Sequence, residues 1–186
     1  MKPDTSKTVT ATRIYRKLHK WVAIPLLAFF LLIGITGLLL GWKKQTGLLP
    51  STQKGKSTAT SQWIPLDSIA QIAHQYALRQ GQSPDIDRID IRPQKGVAKI
   101  VYLHHFAEIQ IDCTTGQIVS EATRTSDIIE KIHDGSILDF WVKTNNDPIK
   151  LIYTSLIGIG LTLLTISGFF LWYNPLKIRK QKAARQ

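Results

Sequence analysis

The sequence predicts a membrane protein in which two antiparallel transmembrane helices flank a small extracytoplasmic α+β domain. Three observations carry that expectation. Two uncharged apolar runs, 22–40 and 151–173, stand near the ends of the 186-residue chain. The basic excess lies outside them: residues 1–20 hold six Lys or Arg and one Asp, and residues 174–186 hold five and no acid, so +10 of the net +11 sits in two tails. The 108 residues from Lys43 to Lys150 are nearly neutral and show first a helical and then an alternating pattern. A nucleic-acid module would carry its basic stripe on a folded domain, so no nucleic acid is expected as a partner, whereas the lipid bilayer is. An apolar content of 44% is too high for a disordered chain, and one cysteine is too few for a disulfide framework.

Taken in order, residues 1–20 read as a cytoplasmic basic tail. Residues 21–42 read as the first span. Its core, Val22 to Leu40, is 19 residues without a charge, which as a helix cover about 28 Å, close to the hydrocarbon thickness. Trp21 and Trp42 bracket it at the two headgroup levels. A cleavable signal is the competing reading, but the run is too long for a signal core and lacks a clear small-residue cleavage site. Pro25 near its start predicts a mild kink. Residues 43–62 read as a flexible linker, because Thr46 to Gln62 is rich in Gly, Ser, Thr and Lys with no apolar period.

The folded domain and a connecting helix are expected over 63–148. From Asp67, the positions Ile69, Ile72, Ala73, Tyr76 and Ala77 recur at helical spacing, and Gly81 is a natural stop. Three stretches then alternate as antiparallel strands, Ile86 to Ile91, Val97 to Leu103 and Glu108 to Asp112, separated by turn chemistry at Pro93 to Gly96 and followed by more at Thr114 to Gly116. A helix followed by strands predicts a helix laid on one face of a small sheet. Ser126 is a candidate N-cap for a short helix running to about His133. The second span is expected at 149–173, and 174–186 as a second cytoplasmic basic tail. With a basic tail at each end, the positive-inside rule puts both termini in the cytoplasm.

Several pieces of the sequence then resemble bacterial PepSY-associated transmembrane proteins. They are "RKLHKW" entering the first span with its "GITGLLL", "IHDGSIL" ahead of the second, and "ISGFFLWYNP" at its end. Between them, "LDSIAQIAHQYALRQG" and the close "IQIDCTTGQIVSE" are similar to a PepSY domain, which usually ends in an acidic residue, a short turn with Gly, and a strand. The ordered set covers roughly residues 13–176. The resemblance implies an extracytoplasmic binding module in the bacterial inner membrane, of a kind given a proposed role in restraining peptidases. Larger relatives with more spans are linked to iron uptake, and some are haem-containing reductases of iron-siderophore complexes. This chain departs from those in having two spans, too few for a four-helix core.

The residues to question for chemistry are His19 and His133, one at each membrane edge. On a wheel of about 100° per residue, His19 shares a face with Gly34, Gly37 and Gly41, and the second span has a face of Ser155, Gly158, Thr162 and Thr165. Such faces either pack the two spans together or leave room for a flat macrocycle. His19 and His133 lie about a bilayer apart and cannot hold one iron. Two b-type haem sites would require a homodimer pairing each histidine with its copy; otherwise His19 is an interfacial residue beside headgroups and His133 a surface residue of a short helix. Met1, the only methionine, offers no alternative ligand. His74 is expected on the solvent side of its helix, and the adjacent His104 and His105 would point to opposite strand faces, a poor start for a zinc site needing three or four ligands. Asp85, Asp87 and Asp90 read as solvating a strand edge. Cys113 reads either as a small buried residue or as a reactive thiol. No phosphate loop, zinc-protease helix or nucleophile elbow is present.

The resulting expectation is a membrane-anchored binding or accessory module without a catalytic site of its own. Its partner would be another membrane or envelope protein, or a second copy of itself. The alternative is a homodimeric b-type haem electron-transfer protein linked to iron-siderophore reduction, with haem b on His19 and His133.

Overall fold

The computed structural model describes residues 5–183. Met1, Lys2 and Asp4 of one tail and Arg185 of the other lie outside the described residues. The elements in chain order are α1 (Thr5–Gly41), α2 (Leu66–Arg79), β1 (Ile86–Arg92), β2 (Val97–Tyr102), β3 (Ala107–Asp112), β4 (Ile118–Thr123), α3 (Thr125–His133), α4 (Ser136–Val142) and α5 (Pro148–Ala183). They form two compact units, one comprising the residues up to Ile35 and from His133 onward, the other Thr36–Ile132.

The first unit is built on α1 and α5. These helices have 37 and 36 residues, or about 55 Å each. They exceed the apolar runs because the helix continues into both tails. It runs through Pro25 and Pro175 without interruption. The contacts Tyr15 to Phe170, with rings stacked at 4.6 Å, and Phe29 to Tyr153 fall on one helix as they rise on the other, so the pair is antiparallel. The more protected positions of α5 are Tyr153, Ile157, Gly160, Leu164, Ser167, Leu171 and Asn174. Their steps of four and three describe the 3.5-residue seam of a left-handed helix pair. On α1 the matching positions are Thr12, Tyr15, His19, Val22 and Leu26. Away from the seam, Ile24, Leu27, Leu31, Leu151, Ile152 and Ile159 are all exposed. The core helix of a soluble protein would bury such residues; here they make the apolar surface that a bilayer would cover. Both helices are long and apolar enough to cross a membrane.

Gly34 and Gly41 of the first small-residue face, and the second face as a whole, do not pack the two helices together. A Cβ added at Gly34, Gly41 or Gly158 would meet nothing within 4 Å, and Ser155, Thr162 and Thr165 are exposed. The reason is the period of the seam. At 3.5 residues per turn, Gly34 falls about 100° away from His19, where a straight wheel puts it near 60°. The close approach is made instead at Gly160, where a Cβ would collide with Leu26 Cδ1.

The second unit is a four-stranded antiparallel sheet in the order β1-β2-β3-β4, with α2 on one face. The register sets Ala98 opposite Ile111 and Ile100 opposite Ile109. These residues, with Tyr102 and Cys113, pack against Ile69, Ala73 and Ala77 of α2. The Tyr102 hydroxyl donates to the Ala73 carbonyl at 2.9 Å, and burial, with Tyr76 and Glu121 nearby, pushes its pKa up to about 12. Gly81, at φ +66°, follows the end of α2 in the left-handed conformation that stops a helix.

Three features differ from the pattern reading. The alternation predicts three strands and the structure has a fourth, β4, after the turn at Gly116; it is the strand that the family resemblance implies. Its sequence Ile-Val-Ser-Glu-Ala-Thr is half-polar because β4 is an edge strand whose residues alternate between half-buried and exposed. Ser126 is not the cap of α3: the helix begins one residue earlier, and Ser126 is buried inside it with its N–H bonded to the Leu48 carbonyl. The largest difference concerns the segment expected to be a flexible linker. Residues 50–57 lie as a strap on the second face of the sheet, bonded at Gln53 N to Gln110 Oε1 (2.8 Å), at Ser51 O by Gln110 Nε2 (2.8 Å) and at Lys56 N to Asp112 Oδ2 (2.8 Å). Two glycines make this possible. A Cβ on Gly55 would strike the Gly96 carbonyl, and one on Gly96 would strike that of Ser57.

Candidate functional site

The two histidines singled out by the sequence sit in different settings. His19 is half-buried in the helix seam, its Nδ1 2.9 Å from Ser167 Oγ. The Ser167 hydroxyl donates to the Leu163 carbonyl at 2.7 Å. This contact ties the imidazole to α5 through Nδ1. Gly168 lies beside the ring: a Cβ there would stand 3.6 Å from His19 Cε1, an ordinary contact. His133 is half-buried at the end of α3, next to Asp134, whose carboxylate pairs with Lys150 at 2.7 Å. Seventeen residues of α5 separate Lys150 from Ser167, about 25 Å along the helix. The structure does not bring the two histidines together.

At the level of His19 the seam supplies Ser167, Gly168 and Leu164, with no second histidine or thiolate to complete an axial pair. Within one chain, the residues present do not fit a bis-histidine haem.

The "IHDGSIL" stretch performs a structural task. Asp134 accepts bonds from the Ser136 N–H (3.0 Å) and hydroxyl (2.6 Å). Gly135, at φ +80°, leaves room for the Tyr153 ring, whose atoms would lie 2.7 Å from a Cβ. Asp139, buried in α4, accepts the N–H groups of Ile149 (3.1 Å) and Lys150 (2.7 Å) and so satisfies two of the open donors at the start of α5. Burial acts to raise the Asp139 pKa, but the bonds from Thr144, Lys150 and Ile149 outweigh it and hold the carboxyl below its ordinary range.

The densest polar cluster lies on the strap-covered face of the sheet, and pattern reading misses it. Glu108 is 1% exposed. It accepts from Lys99 Nζ at 2.9 Å, from Gln110 Nε2 at 3.0 Å and from Arg124. Arg124 also donates to Asp127 at 2.6 Å. Burial opposes the Arg124 charge, yet the bonds to Asp127 and Glu108 raise its pKa. Two cations and two carboxylates thus balance, which is what permits charges to be buried at all. The available signal was register: Lys99 and Gln110 are opposite one another, as are Val101 and Glu108. Each polar residue therefore falls on the same face.

The remaining candidates are dispersed. His104 lies in the bend after β2, since that strand ends at Tyr102, one residue earlier than expected, and reaches Asp85 at 3.3 Å. His105 reaches the Ser83 carbonyl at 3.1 Å and stacks on Tyr102. His74 is exposed. Asp87 and Asp90 pair with Arg88 at the sheet edge. Cys113 is fully buried, and burial, with Asp112 beside it, pushes its pKa upward. Among the described residues no three His, Cys, Asp or Glu converge as metal ligands.

Two long apolar helices that precede and follow, in the chain, a small antiparallel sheet with a helix on one face define a membrane-associated PepSY-type architecture. The family model described as PepSY-associated TM region matches residues 16–186, and the chain belongs to that family. Neither a curated protein nor a solved structure matches the chain.

Proposed function

We propose that this protein is a membrane-anchored PepSY-type binding or accessory module without a catalytic site of its own. Its domain would face the exterior of the bacterial inner membrane, with both termini in the cytoplasm. The observation that supports this reading is the internal pairing of the domain's buried charges. Lys99, Glu108, Arg124 and the half-buried Asp127 satisfy one another, and the Ser126 hydroxyl beside them is fully buried as a donor to Asp127 at 3.0 Å. Such a network stabilises a surface for recognition. The partner would be another membrane or envelope protein, or a second copy of the chain. Crosslinking in intact cells from cysteines placed on the exposed faces of α2 and β4 is expected to trap a discrete adduct. Recovery of monomer alone would overturn the reading. A reporter fused after Gln186 is expected to work only in the cytoplasm.

The rival reading is a homodimeric haem electron-transfer protein with iron-siderophore reduction as its role. It is favoured by one observation: Ser167 Oγ, 2.9 Å from Nδ1, orients the His19 ring and leaves Nε2 as the nitrogen that would ligate iron. The visible spectrum of detergent-extracted protein, oxidised and then reduced with dithionite, separates the two. A Soret band lost in both His19→Ala and His133→Ala would replace the first reading, and its absence after expression with ample haem would end the second.

A further inference from the structure

A cavity of about 720 Å³ opens between the strap and the corner joining β1 to β2. Four cations, Lys44, Arg92, Lys95 and Lys99, line it, and no carboxylate does. Two of them are fixed in place: Lys95 Nζ donates to the Thr52 carbonyl at 2.7 Å, and Lys99 Nζ to that of Pro50 at 3.3 Å. Lys99 is neutralised by Glu108 at 2.9 Å. The others are not neutralised in this way. Arg92 is half exposed and comes no closer than 3.7 Å to Asp90. Among the described residues, Lys44 and Lys95 have no carboxylate partner. Cations held around one concavity repel each other unless an anion sits among them. A phosphate group suits Lys and Arg donors arranged around a cavity, because its oxygens accept several charge-assisted bonds at once.

The position narrows the source. Lys44 follows the end of α1 at Gly41 by three residues, and Trp42 between them is 63% exposed. Indoles at helix ends mark the headgroup level of a bilayer. We propose that this cavity is a phosphate site, filled by the headgroup of an anionic lipid where α1 leaves the membrane or by soluble phosphate. The proposal goes beyond the partner-binding role, and the crosslinking test of that role is separate from the one that follows.

The test is calorimetric titration of the full chain in a non-ionic detergent with dihexanoyl phosphatidylglycerol, inorganic phosphate and dihexanoyl phosphatidylcholine. Saturable binding of the phosphatidylglycerol is expected, weakened about tenfold in Lys44→Gln and further in Lys44→Gln/Arg92→Gln. Both side chains are exposed, so an unchanged unfolding midpoint in these variants shows that the fold survives. The control Arg13→Gln/Arg179→Gln, which removes charge from the tails, is expected to bind as the wild type does. Phosphatidylglycerol binding without phosphate binding identifies the lipid as the source, and competition between the two identifies the bare anion as sufficient. Binding of neither, equal binding of phosphatidylcholine, unchanged affinity in the double variant, or loss in the tail control would each overturn the site.

Discussion

The two faces of the sheet are buried to the same depth and closed by opposite means. On one, Ala98, Ile100, Ile109 and Ile111 meet the apolar stripe of α2. On the other, their immediate neighbours Lys99, Glu108, Gln110 and Asp112 are covered by an extended strap whose backbone supplies most of the bonds. The first closure is non-directional and follows buried area. The second depends on individual bonds, each of which leaves a buried polar group unsatisfied when it is lost. Alternation along a strand therefore does not by itself say which face meets water. It says only that two faces differ.

Substitutions at adjacent residues turn this difference into numbers, with stability read as urea unfolding of the full chain in detergent. Glu108→Ala is expected to be the most damaging, at about 3–5 kcal/mol, because it strands Lys99 as a buried unpaired cation and leaves Arg124 with Asp127 alone. The joint replacement Lys99→Met, Glu108→Leu, Arg124→Met is expected to recover most of that loss, since apolar residues of similar volume often replace a buried ion network without cost. A triple variant no more stable than Glu108→Ala would show that the strap itself requires the charges. Ile100→Ala on the helix-covered face is expected to cost about 3 kcal/mol through cavity formation, with the strap still protected in hydrogen exchange. Gly96→Ala comes next at about 2 kcal/mol: its φ of +66° disfavours a side chain, and the Ser57 carbonyl leaves no space for one. Here the expected signature is local, with exchange rising in residues 50–57 while α2 stays protected. Equal exposure of both faces would mean that they unfold as one unit.

The same difference explains what the sequence made legible. The spans, α2 and the first three strands announce themselves through apolar period, because their contacts are made by apolar side chains. The strap has no period to read, since Gln53 and Lys56 engage the sheet through backbone N–H groups that every residue except proline possesses. Its marks are Gly55 and Gly96, and two glycines forty residues apart signal a close approach only once the chain has folded. The His19 site was half legible. Its place in a long apolar helix and its match to the family motif single it out; its partner Ser167 stands in the quoted "ISGFFLWYNP", but only the folded helix pair brings the two together. The straight wheel offers the glycine face either for packing or for a macrocycle, whereas the close approach along the 3.5-residue seam is made at Gly160.

The smallest expected effect concerns the carboxylate that ties the strap to the turn before β4. Asp112 accepts the N–H groups of Lys56 (2.8 Å), Thr114 (2.7 Å) and Thr115 (3.2 Å). Burial acts to raise its pKa, but these donors prevail and hold it below the ordinary carboxylate range. A group whose pKa is lower in the folded chain stabilises the fold at pH values above its unfolded pKa, near 4. That contribution is lost as the pH falls through the folded value. Asp112→Asn keeps one acceptor oxygen and is expected to cost about 1 kcal/mol at neutral pH. Asp134 and Asp139 are also held low and contribute acid sensitivity of the same sign, so the wild type must be compared with Asp112→Asn across pH. The gap between them is expected to be constant from pH 7 to about 5 and to narrow below about 4 as the wild-type carboxylate is protonated. A gap that holds or widens in acid would mean that the strap is anchored by Gln110, the lysine bonds to its carbonyls and the glycine contacts, with the Asp112 charge playing no part in closing the polar face.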